Sequence, residues 1–404
     1  MPGIRNLRRI QIGQEATAGT LVKTSTLWRG TGTIQDDTLV VNPSEDIGVI
    51  MDVDRVYIPS QGGTLTLDAV PATFEQLPYI LTAGIKALVT GVADGGGTGK
   101  IYTYPFPTVQ PKPTVTTFSV QAGDDQQMEE ATYGFVESLK LSGKVNAAIE
   151  MSAVLKTRIA APVTYTATGI SFSTLGTITD AAAGFGIFPT TSFRVNVSGS
   201  SSNNGIFSIT SATTAIMYTS GLVTESSGQT VTIDKFFNNV SIPVVEEILF
   251  QKAKLYIDAS STSAGTTIKS NTVLSWEMDY KTGWKGQPAA DGRLDFSFTK
   301  LAKPSGTLKV TFEHDGTAVA EKAAWRAKTP RLIRLLVQGS TLTTAGTYTY
   351  KTLIVDLVGV WKKFGALKDD NGNDTVEGTL MFGYDTTAAQ AGQIIVVNQL
   401  SALP

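Results

Sequence analysis

The sequence predicts a mostly β protein, made of β-sandwich or barrel modules that each carry one covering helix, together with a small all-β domain. Three observations lead to this prediction. Apolar and polar residues alternate with a period of two far more often than they recur every 3.6 residues. Only two segments have a helical pattern, and Thr, Ser, Val and Gly dominate the 404 residues. Many short strands with few helices are typical of sandwiches and barrels.

Strand candidates occur along the whole chain. Each is a short run in which every second residue is apolar, as expected where one face of a sheet is buried. They are Thr64–Val70, Val136–Val145, Ala147–Leu155, Phe193–Val197, Ile206–Ile209, Val231–Ile233, Lys254–Ile257, Arg293–Phe298, Thr307–Phe312, Thr352–Val360 and Thr375–Tyr384.

Two segments are predicted to be helices. In Pro71–Lys86, four apolar residues beginning with Phe74 share one helical face, despite Pro78 in the middle. The second segment, Ala318–Ala327, is rich in alanine and is closed by Pro330.

The order strand, long loop, strand, helix, strand, strand occurs twice. Gly63 and Gly306 each precede the strand that leads into a helix, and the long polar segments Asn42–Gln61 and Asp279–Asp291 precede these strands. In the second half the last two strands are joined by an Asn-Gly pair at position 371, a strong hairpin signal. We therefore expect two modules per chain, related by an internal duplication.

The predicted boundaries place the first module at 1–161, the small β-domain at 162–234 and the second module, or the completion of the first, at 235–404. From Pro162 to Ile233 this region contains almost no charge, with Asp180, Arg194 and Glu225 as its charged residues. Short apolar runs punctuated by Ser and Gly predict a compact, turn-rich β-domain there.

Composition excludes several classes of protein. The chain has no cysteine, so it has neither disulfides nor thiolate metal sites. The formal net charge of −2 gives no electrostatic reason for tight binding to DNA. No apolar run is long enough to span a bilayer, and none follows Arg5, Arg8 and Arg9, so neither a membrane anchor nor a signal peptide is expected.

Complete catalytic motifs are missing from the sequence. His314 is the single histidine, and the stretch from Asp94 to Lys100 departs from a phosphate-binding loop at its first position and at Ile101. No catalytic, metal or cofactor residue is therefore predicted, although a β-rich polysaccharide depolymerase stays open as an enzyme alternative. Carbohydrate adhesion is a further alternative, carried by the aromatic residues Trp276, Tyr280, Trp284 and Trp361.

Several segments, taken together in their order, carry a resemblance to a known family. They are Ala72–Ile85, Thr282–Lys285, Ala320–Arg326, Pro330–Arg334, Tyr350–Leu353, Gly372–Asp374 and Ile394–Asn398. In this order they resemble the major tail tube proteins of bacteriophages with long, non-contractile tails. The resemblance covers most of the chain outside Pro162–Asp234. That region is similar to small β-domains inserted in phage virion proteins, most recognisably at Val197–Gly205.

The resemblance implies a structural virion protein and no enzyme. In the family, sheets of neighbouring modules join into the inner wall of a hollow tube, rings stack helically, and DNA passes to the host without specific binding. Related rings contain six modules, so two per chain imply a homotrimeric, pseudo-hexameric ring; a ring of six chains is the alternative. The small domain is expected to project outward, because a lumen that passes duplex DNA has no room for it.

The two long polar segments lie where the stacking loops of the family lie. The residues expected to make contacts between rings are Asn42, Glu45, Asp46, Asp52, Asp54, Arg55, Lys281, Trp284, Lys285 and Asp291. The implied partners are further copies of the chain, the tape measure protein, the tail terminator and tail-tip proteins. The implied location is the virion tail, after assembly in the host cytoplasm, and no cofactor is implied. The main alternative is a tail-tip or surface adhesin, which copy number in the virion would distinguish.

Overall fold

The computed structural model of the chain describes residues 3–46, 48, 55–87, 89–108, 114–259, 264–386 and 389–403. Strands make up 51% of the residues and helices 8%. The prediction of a mostly β protein is therefore confirmed.

The strands and helices follow one another in three groups. The first contains β1 (Arg9–Gln14), β2 (Thr26–Leu27), β3 (Gly32–Asp36), β4 (Leu39–Val41), β5 (Tyr57–Ser60), β6 (Gly63–Pro71), α1 (Leu77–Gly84), β7 (Val92–Ala93), β8 (Lys100–Pro105), β9 (Phe118–Gly123), β10 (Met128–Lys144) and β11 (Glu150–Thr157). The second contains β12 (Thr164–Ala167), β13 (Ile170–Ser173), β14 (Thr177–Asp180), β15 (Thr191–Ser198), β16 (Gly205–Ala212), β17 (Ile216–Tyr218) and β18 (Val231–Phe236). The third contains β19 (Ala253–Asp258), β20 (Ile268–Lys269), β21 (Val273–Lys281), β22 (Trp284–Gln287), β23 (Phe298–Leu301), β24 (Ser305–Glu313), α2 (Gly316–Arg326), β25 (Arg331–Thr341), β26 (Tyr350–Phe364), β27 (Lys368–Asp370), β28 (Asn373–Phe382) and β29 (Gly392–Asn398). Short 3₁₀ turns lie at Arg5–Leu7, Gly184–Ile187 and Phe250–Lys252.

The chain forms two compact units, each assembled from separate stretches of sequence. Unit 1 consists of Met1–Leu65, Thr117–Gly134 and Thr157–Pro243, and unit 2 of Thr66–Thr116, Phe135–Lys156 and Val244–Pro404. Strands β6, β10 and β11 each begin in one unit and end in the other. The predicted boundaries at 161 and 234 stay a prediction.

Among its described residues, unit 1 contains the two-stranded pair β4–β5 and two larger groups of paired strands. In the first, β9 lies between β1 and the beginning of β10, and β1 also pairs with β2. The second is an antiparallel seven-stranded sheet in the order β12-β18-β15-β16-β17-β14-β13. Its apolar side chains enclose a core, because alternate residues of each strand face inward. The core includes Phe172, Phe185, Phe193, Val195 and Met217.

Unit 2 is a larger antiparallel assembly. Its strands pair in the order β11–β10–β21–β24–β28–β26–β25–β19–β20. The long strand β26 also pairs with β29 through Thr352–Leu357, and β8 pairs with β29 on its far side. Buried Trp276, Tyr102 and Phe312 are among the largest side chains of its core.

One succession of pairings occurs twice along the chain. In the first half the neighbours are β2–β1–β9–β10–β11–β6, and in the second half they are β20–β19–β25–β26–β28–β24. In each half a two-stranded arm, β4–β5 or β22–β23, precedes β6 or β24, and a helix follows that strand. The repeated order that the sequence indicated is thus matched by repeated strand pairing.

Two predicted elements differ in the structure. The first helix does not begin at Pro71, where β6 ends, but at Leu77, so that Pro78 lies in the first turn. The reason is that proline lacks the N–H needed in a helix interior but is tolerated at a helix start. Arg293–Phe298 is not a strand: Gly292 has a φ of +83°, and the guanidinium of Arg293 binds the nearby carboxylate of Asp295 at 2.7 Å.

The segment Asp279–Asp291 is not one long loop. Its first residues end β21, and β22 occupies Trp284–Gln287. The Asn-Gly turn is confirmed: Asn371 and Gly372 have φ values of +55° and +89°, and Asp370 pairs with Asn373.

Candidate assembly surface

The first arm, formed by β4 and β5, exposes apolar side chains on both strands. Leu39 pairs with Ser60 and Val41 with Tyr57. The exposed fractions of Val40 and Tyr57 are 56% and 54%. The other exposed apolar residues of the arm are Leu39, Val56 and Ile58. Large apolar side chains clustered on a surface mark an interaction site more often than single exposed ones do.

Four of the predicted contact residues lie in the described part of the first arm. Asn42, Asp46 and Arg55 are exposed, while Glu45 is half-buried. The guanidinium of Arg55 binds the carboxylate of Glu45, which joins the two sides of the arm. Two further predicted residues, at positions 52 and 54 (Asp52 and Asp54), lie outside the described residues.

The second arm, formed by β22 and β23, packs against its own unit. Trp284 is buried, and its Nε1 donates to Gly84 O at the end of α1, at 3.1 Å. Phe296 contacts Phe135 of β10 edge to face, with ring centroids 5.7 Å apart. Trp284 therefore does not lie on the surface, since the indole fills the contact between the arm and α1.

The remaining predicted residues of the second half, Lys281, Lys285 and Asp291, are exposed. Asp291 accepts a hydrogen bond from Arg293 N at 3.3 Å. The two arms thus differ in a physical way, because only the first exposes apolar residues on both of its strands.

The two halves of the repeat join through one strand pair, β10 with β21, which we call the seam. Its register places Ser138 opposite Lys281 and Lys140 opposite Asp279. Just beyond the last pair, Thr282 N donates to Glu137 O at 3.0 Å, and Thr282 Oγ1 donates to Val136 O at 2.8 Å. The seam therefore makes one continuous sheet from both halves.

Around the seam, one face of this sheet is rich in hydroxyl groups. Alternate residues of β10, β11, β21 and β24 are buried on the opposite face, among them Leu139, Met151, Met278 and Leu308. The hydroxyl side chains on the outward face are Ser138, Ser142, Ser152, Ser275, Thr307 and Thr311.

Three charged residues of this face bind one another. Glu277 lies between two ammonium groups, with Lys140 Nζ at 2.8 Å and Lys309 Nζ at 2.7 Å. Burial raises the pKa of Glu277, but hydrogen bonds from Lys140 and Lys309 lower it by more, so the pKa lies below its ordinary value. The carboxylate thus stays ionised and partly neutralises both lysines.

Sequence reasoning missed this group of charges. The three residues come from β10, β21 and β24, and their contact depends on pairings between strands far apart in sequence. The available signal was the alternation of charged and apolar residues along each strand, which predicts the face but not the partners.

A scan against protein-family models found no match to the chain, and a search of curated proteins found no match either.

The aromatic residues considered for carbohydrate binding are buried. Trp276, Tyr280, Trp284 and Trp361 are each at most 3% exposed. A sugar-binding platform needs exposed aromatic faces, so these four side chains form none.

Two further kinds of feature are absent from the described residues. Within that part of the chain, no three or more His, Asp or Glu side chains come together in a way that could hold a metal ion. None of the helices in the described ranges is both long enough and apolar enough to cross a membrane.

Proposed function

We propose that this chain is the structural subunit of a hollow tube, the tail tube of a long-tailed bacteriophage, through which DNA reaches the host. The observation that carries the proposal is the seam: two copies of one strand-pairing pattern already join edge to edge inside the chain. A subunit that joins repeats head to tail in this way can add further copies by the same contact. Head-to-tail contacts close into rings when the rotation between neighbouring subunits divides a full turn evenly.

The hydroxyl-rich face suits the inner wall of such a tube. Duplex DNA binds tightly where unneutralised Lys and Arg meet its phosphates. Here Lys140 and Lys309 are both bound to Glu277, so the face offers hydroxyl groups and partly neutralised charge. Beside these lie one exposed carboxylate, Asp279, and one exposed ammonium, Lys281. Such a surface lets DNA slide, with no specific binding and no cofactor.

The number of repeats in each chain determines how many chains are needed to form a ring. Two repeats per chain favour a homotrimer with six repeats, and a ring of six chains is the alternative. The first arm, with exposed Val56, Tyr57 and Ile58, is assigned to contacts between stacked rings, together with exposed Asn42, Asp46 and Arg55. Burial of apolar arm residues on a neighbouring ring would stabilise the stack by roughly 25 cal/mol per Å² removed from water. In the virion, the tape measure, terminator and tail-tip proteins would be the further partners.

Electron microscopy of the purified chain at high concentration tests the proposal. We expect hollow tubes or stacked rings for the unchanged chain. The variant Tyr57→Ser/Ile58→Ser should lose the stacks but keep its melting temperature, because both side chains are exposed in the single chain. The matched control, Leu175→Ser/Val223→Ser, removes two exposed apolar residues from segments that connect strands of the seven-stranded sheet, and it should assemble normally.

Two results would count against the proposal. Normal stacks from the arm variant would remove the arm from the contact. Monomers at every concentration, with antibody labelling of virions confined to the tail tip, would favour the adhesin.

A further inference from the structure

The seam has a distinctive local geometry in β10. At Gly134, opposite Phe118, the strand is paired with β9, and three residues later a bulge at Glu137 interrupts the pairing with β11. Beyond this bulge, β10 exchanges β9 for β21 as its neighbour on that side.

Strand β26 has the same three-residue spacing between its last pair with the neighbouring strand and its bulge. Gly359 is paired with Arg331 of β25, and three residues later a bulge at Lys362 interrupts the pairing with β28. Among the described strands, none replaces β25 beyond Gly359, so this side of β26 is an open edge. Lys362 and Lys363 are exposed there. The residues after the bulge in β26 are thus the counterparts of those that bind β21 in β10.

The counterpart of β21 in the first half is β3. Each precedes a two-stranded arm and lies beside the strand that leads to a helix. Lys281 is opposite Ser305 in the second half, and Asp37 N donates to Gly62 O at 2.9 Å in the first. This alignment makes Asp37 the counterpart of Lys281, and Thr38 the counterpart of Thr282.

We infer that β3 of a second copy of this chain pairs with the open edge of β26, antiparallel and in the register of the seam. The inference rests on the proposed function, because a tube subunit must bind further copies of itself. The register places Asp37 of the second copy opposite Lys363, since their counterparts are Lys281 and Ser138. The same register places Thr38 of the second copy next to Lys362 O. Its counterpart Thr282 donates hydrogen bonds to Glu137 O within the chain.

Charge supports this register independently of the repeat. The open edge carries Lys362 and Lys363, and the end of β3 carries Asp36 and Asp37, all four exposed. In the single chain, Asp36 accepts from Thr38 N at 2.8 Å and Asp37 accepts from Thr64 Oγ1. Opposite charges brought together at an interface favour the correct partner and register.

The carbonyl oxygen at the bulge can accept a further hydrogen bond from the second copy. Lys362 O already accepts from Trp325 Nε1 of α2, at 3.1 Å. Its counterpart, Glu137 O, accepts two donors, Thr282 N at 3.0 Å and Thr282 Oγ1 at 2.9 Å. A carbonyl oxygen has two lone pairs, so both contacts can form.

The pairing is head to tail, because a β26 edge binds a β3 edge and each chain has one of each. Such a contact leaves the opposite edges open for further copies until a ring closes. It would also cover the strand edges that otherwise promote uncontrolled aggregation.

Disulfide trapping tests the register directly, and the chain has no cysteine of its own. Directly opposite strand residues have Cα atoms about 4.5–5.5 Å apart, within the span of a disulfide. The variant Asp37→Cys/Lys363→Cys should form covalent oligomers on mild oxidation under assembling conditions. The control Asp37→Cys/Lys254→Cys, which uses an exposed lysine of β19, should not.

Charge reversal and cross-linking of unchanged tubes give independent readouts. Asp37→Lys should raise the concentration needed for assembly about tenfold or more, and adding Lys363→Asp should restore it. A carbodiimide, which joins amines to carboxylates, should link Lys362 or Lys363 to Asp36 or Asp37 in wild-type tubes.

The outcomes separate this inference from the proposed function. Tubes without these cross-links, or equal trapping in the control, would overturn the β3–β26 pairing and leave the tube intact. An unchanged chain that forms no oligomer would overturn both.

Discussion

At the scale of single residues, one buried ion pair in unit 1 joins two groups of strands. Lys235 Nζ, at the end of β18, lies 2.5 Å from both carboxylate oxygens of Glu130 in β10, and both side chains are buried. Gln121 Nε2 also donates to Glu130, at 2.7 Å. The pair thus connects the seven-stranded sheet to the β9–β10 pair.

Removing one partner should be strongly destabilising. Lys235→Met leaves a buried carboxylate without its cation and should lower the free energy of unfolding by about 3–5 kcal/mol. The double variant Lys235→Met/Glu130→Gln should recover much of this loss, because no charge is left buried. Urea denaturation of the chain checks both values, with exposed Lys254→Met as the control near zero. A loss below about 1 kcal/mol for Lys235→Met would mean that the pair is solvated.

The lowered pKa of Glu277 gives a pH dependence whose sign is fixed. A carboxyl group with a folded pKa below its unfolded value binds fewer protons in the folded state. Its stabilisation is therefore present above the unfolded pKa and disappears as pH falls through the folded pKa. Glu277→Gln should cost about 0.5–1 kcal/mol at pH 7, since all three side chains are partly exposed.

Denaturation of wild type and Glu277→Gln across a pH series measures this difference. We expect the difference between the two stabilities to shrink as pH falls through about 4.3, the ordinary pKa of a glutamate, and to disappear below the lowered folded pKa of Glu277. If the difference in unfolding free energy between wild type and Glu277→Gln grew on acidification, the surroundings of Glu277 would destabilise its carboxylate. Lys140 and Lys309 would then not stabilise it.

At the scale of elements, local sequence predicted some strands of the two halves and missed others, among them β1, β9, β21 and β25. β6, β19 and β24 each lie within two residues of the predicted segments Thr64–Val70, Lys254–Ile257 and Thr307–Phe312. Their alternation is clear because one face of each strand is buried and the other is not. The prediction was wrong where that signal is misleading: all eight residues of α1 are buried, so the apolar residues from Phe74 onward do not mark where the helix begins.

Long-range pairing could not be predicted in the same way. The order of strands in a repeat could be read from turns and helices, but the register of β10 with β21 joins residues about 140 positions apart. Nothing local specifies such a pairing; it follows from sheet order and from the bulge at Glu137. For the same reason, the sequence predicted contact residues only in the loop of the first arm. It did not predict that the apolar strand residues Val40 and Tyr57 are exposed.

At the scale of the whole molecule, the repeat explains why few charged contacts are needed to fix the register of the seam. Once β10 exchanges β9 for β21 at a bulge, every residue along the seam is set, because strands hold a fixed register over their length. The second bulge, at Lys362, offers the same arrangement to another copy. A bulge followed by a change of neighbouring strand, present in β10 and offered by β26, would therefore join repeats within the chain and between chains.

The seven-stranded sheet can be removed in a way that tests its part in assembly. Thr164 and Asp234 are antiparallel partners, and Lys235 N donates to Val163 O at 2.8 Å, so the ends of the sheet are neighbours. A short Asn-Gly turn in place of residues 165–233 should therefore close the chain without strain. Lys235 stays in this variant, and we expect it to keep its bond to Glu130.

We expect the shortened chain to fold and to form tubes of smaller outer diameter, because the sheet is proposed to project outward and to take no part in ring contacts. Circular dichroism and thermal melting establish the fold, and averaged electron micrographs of wild-type and shortened tubes measure the diameters. A folded monomer that forms no tubes would place the sheet in the assembly contacts instead. Tubes of unchanged outer diameter would show that the sheet does not form the outermost layer.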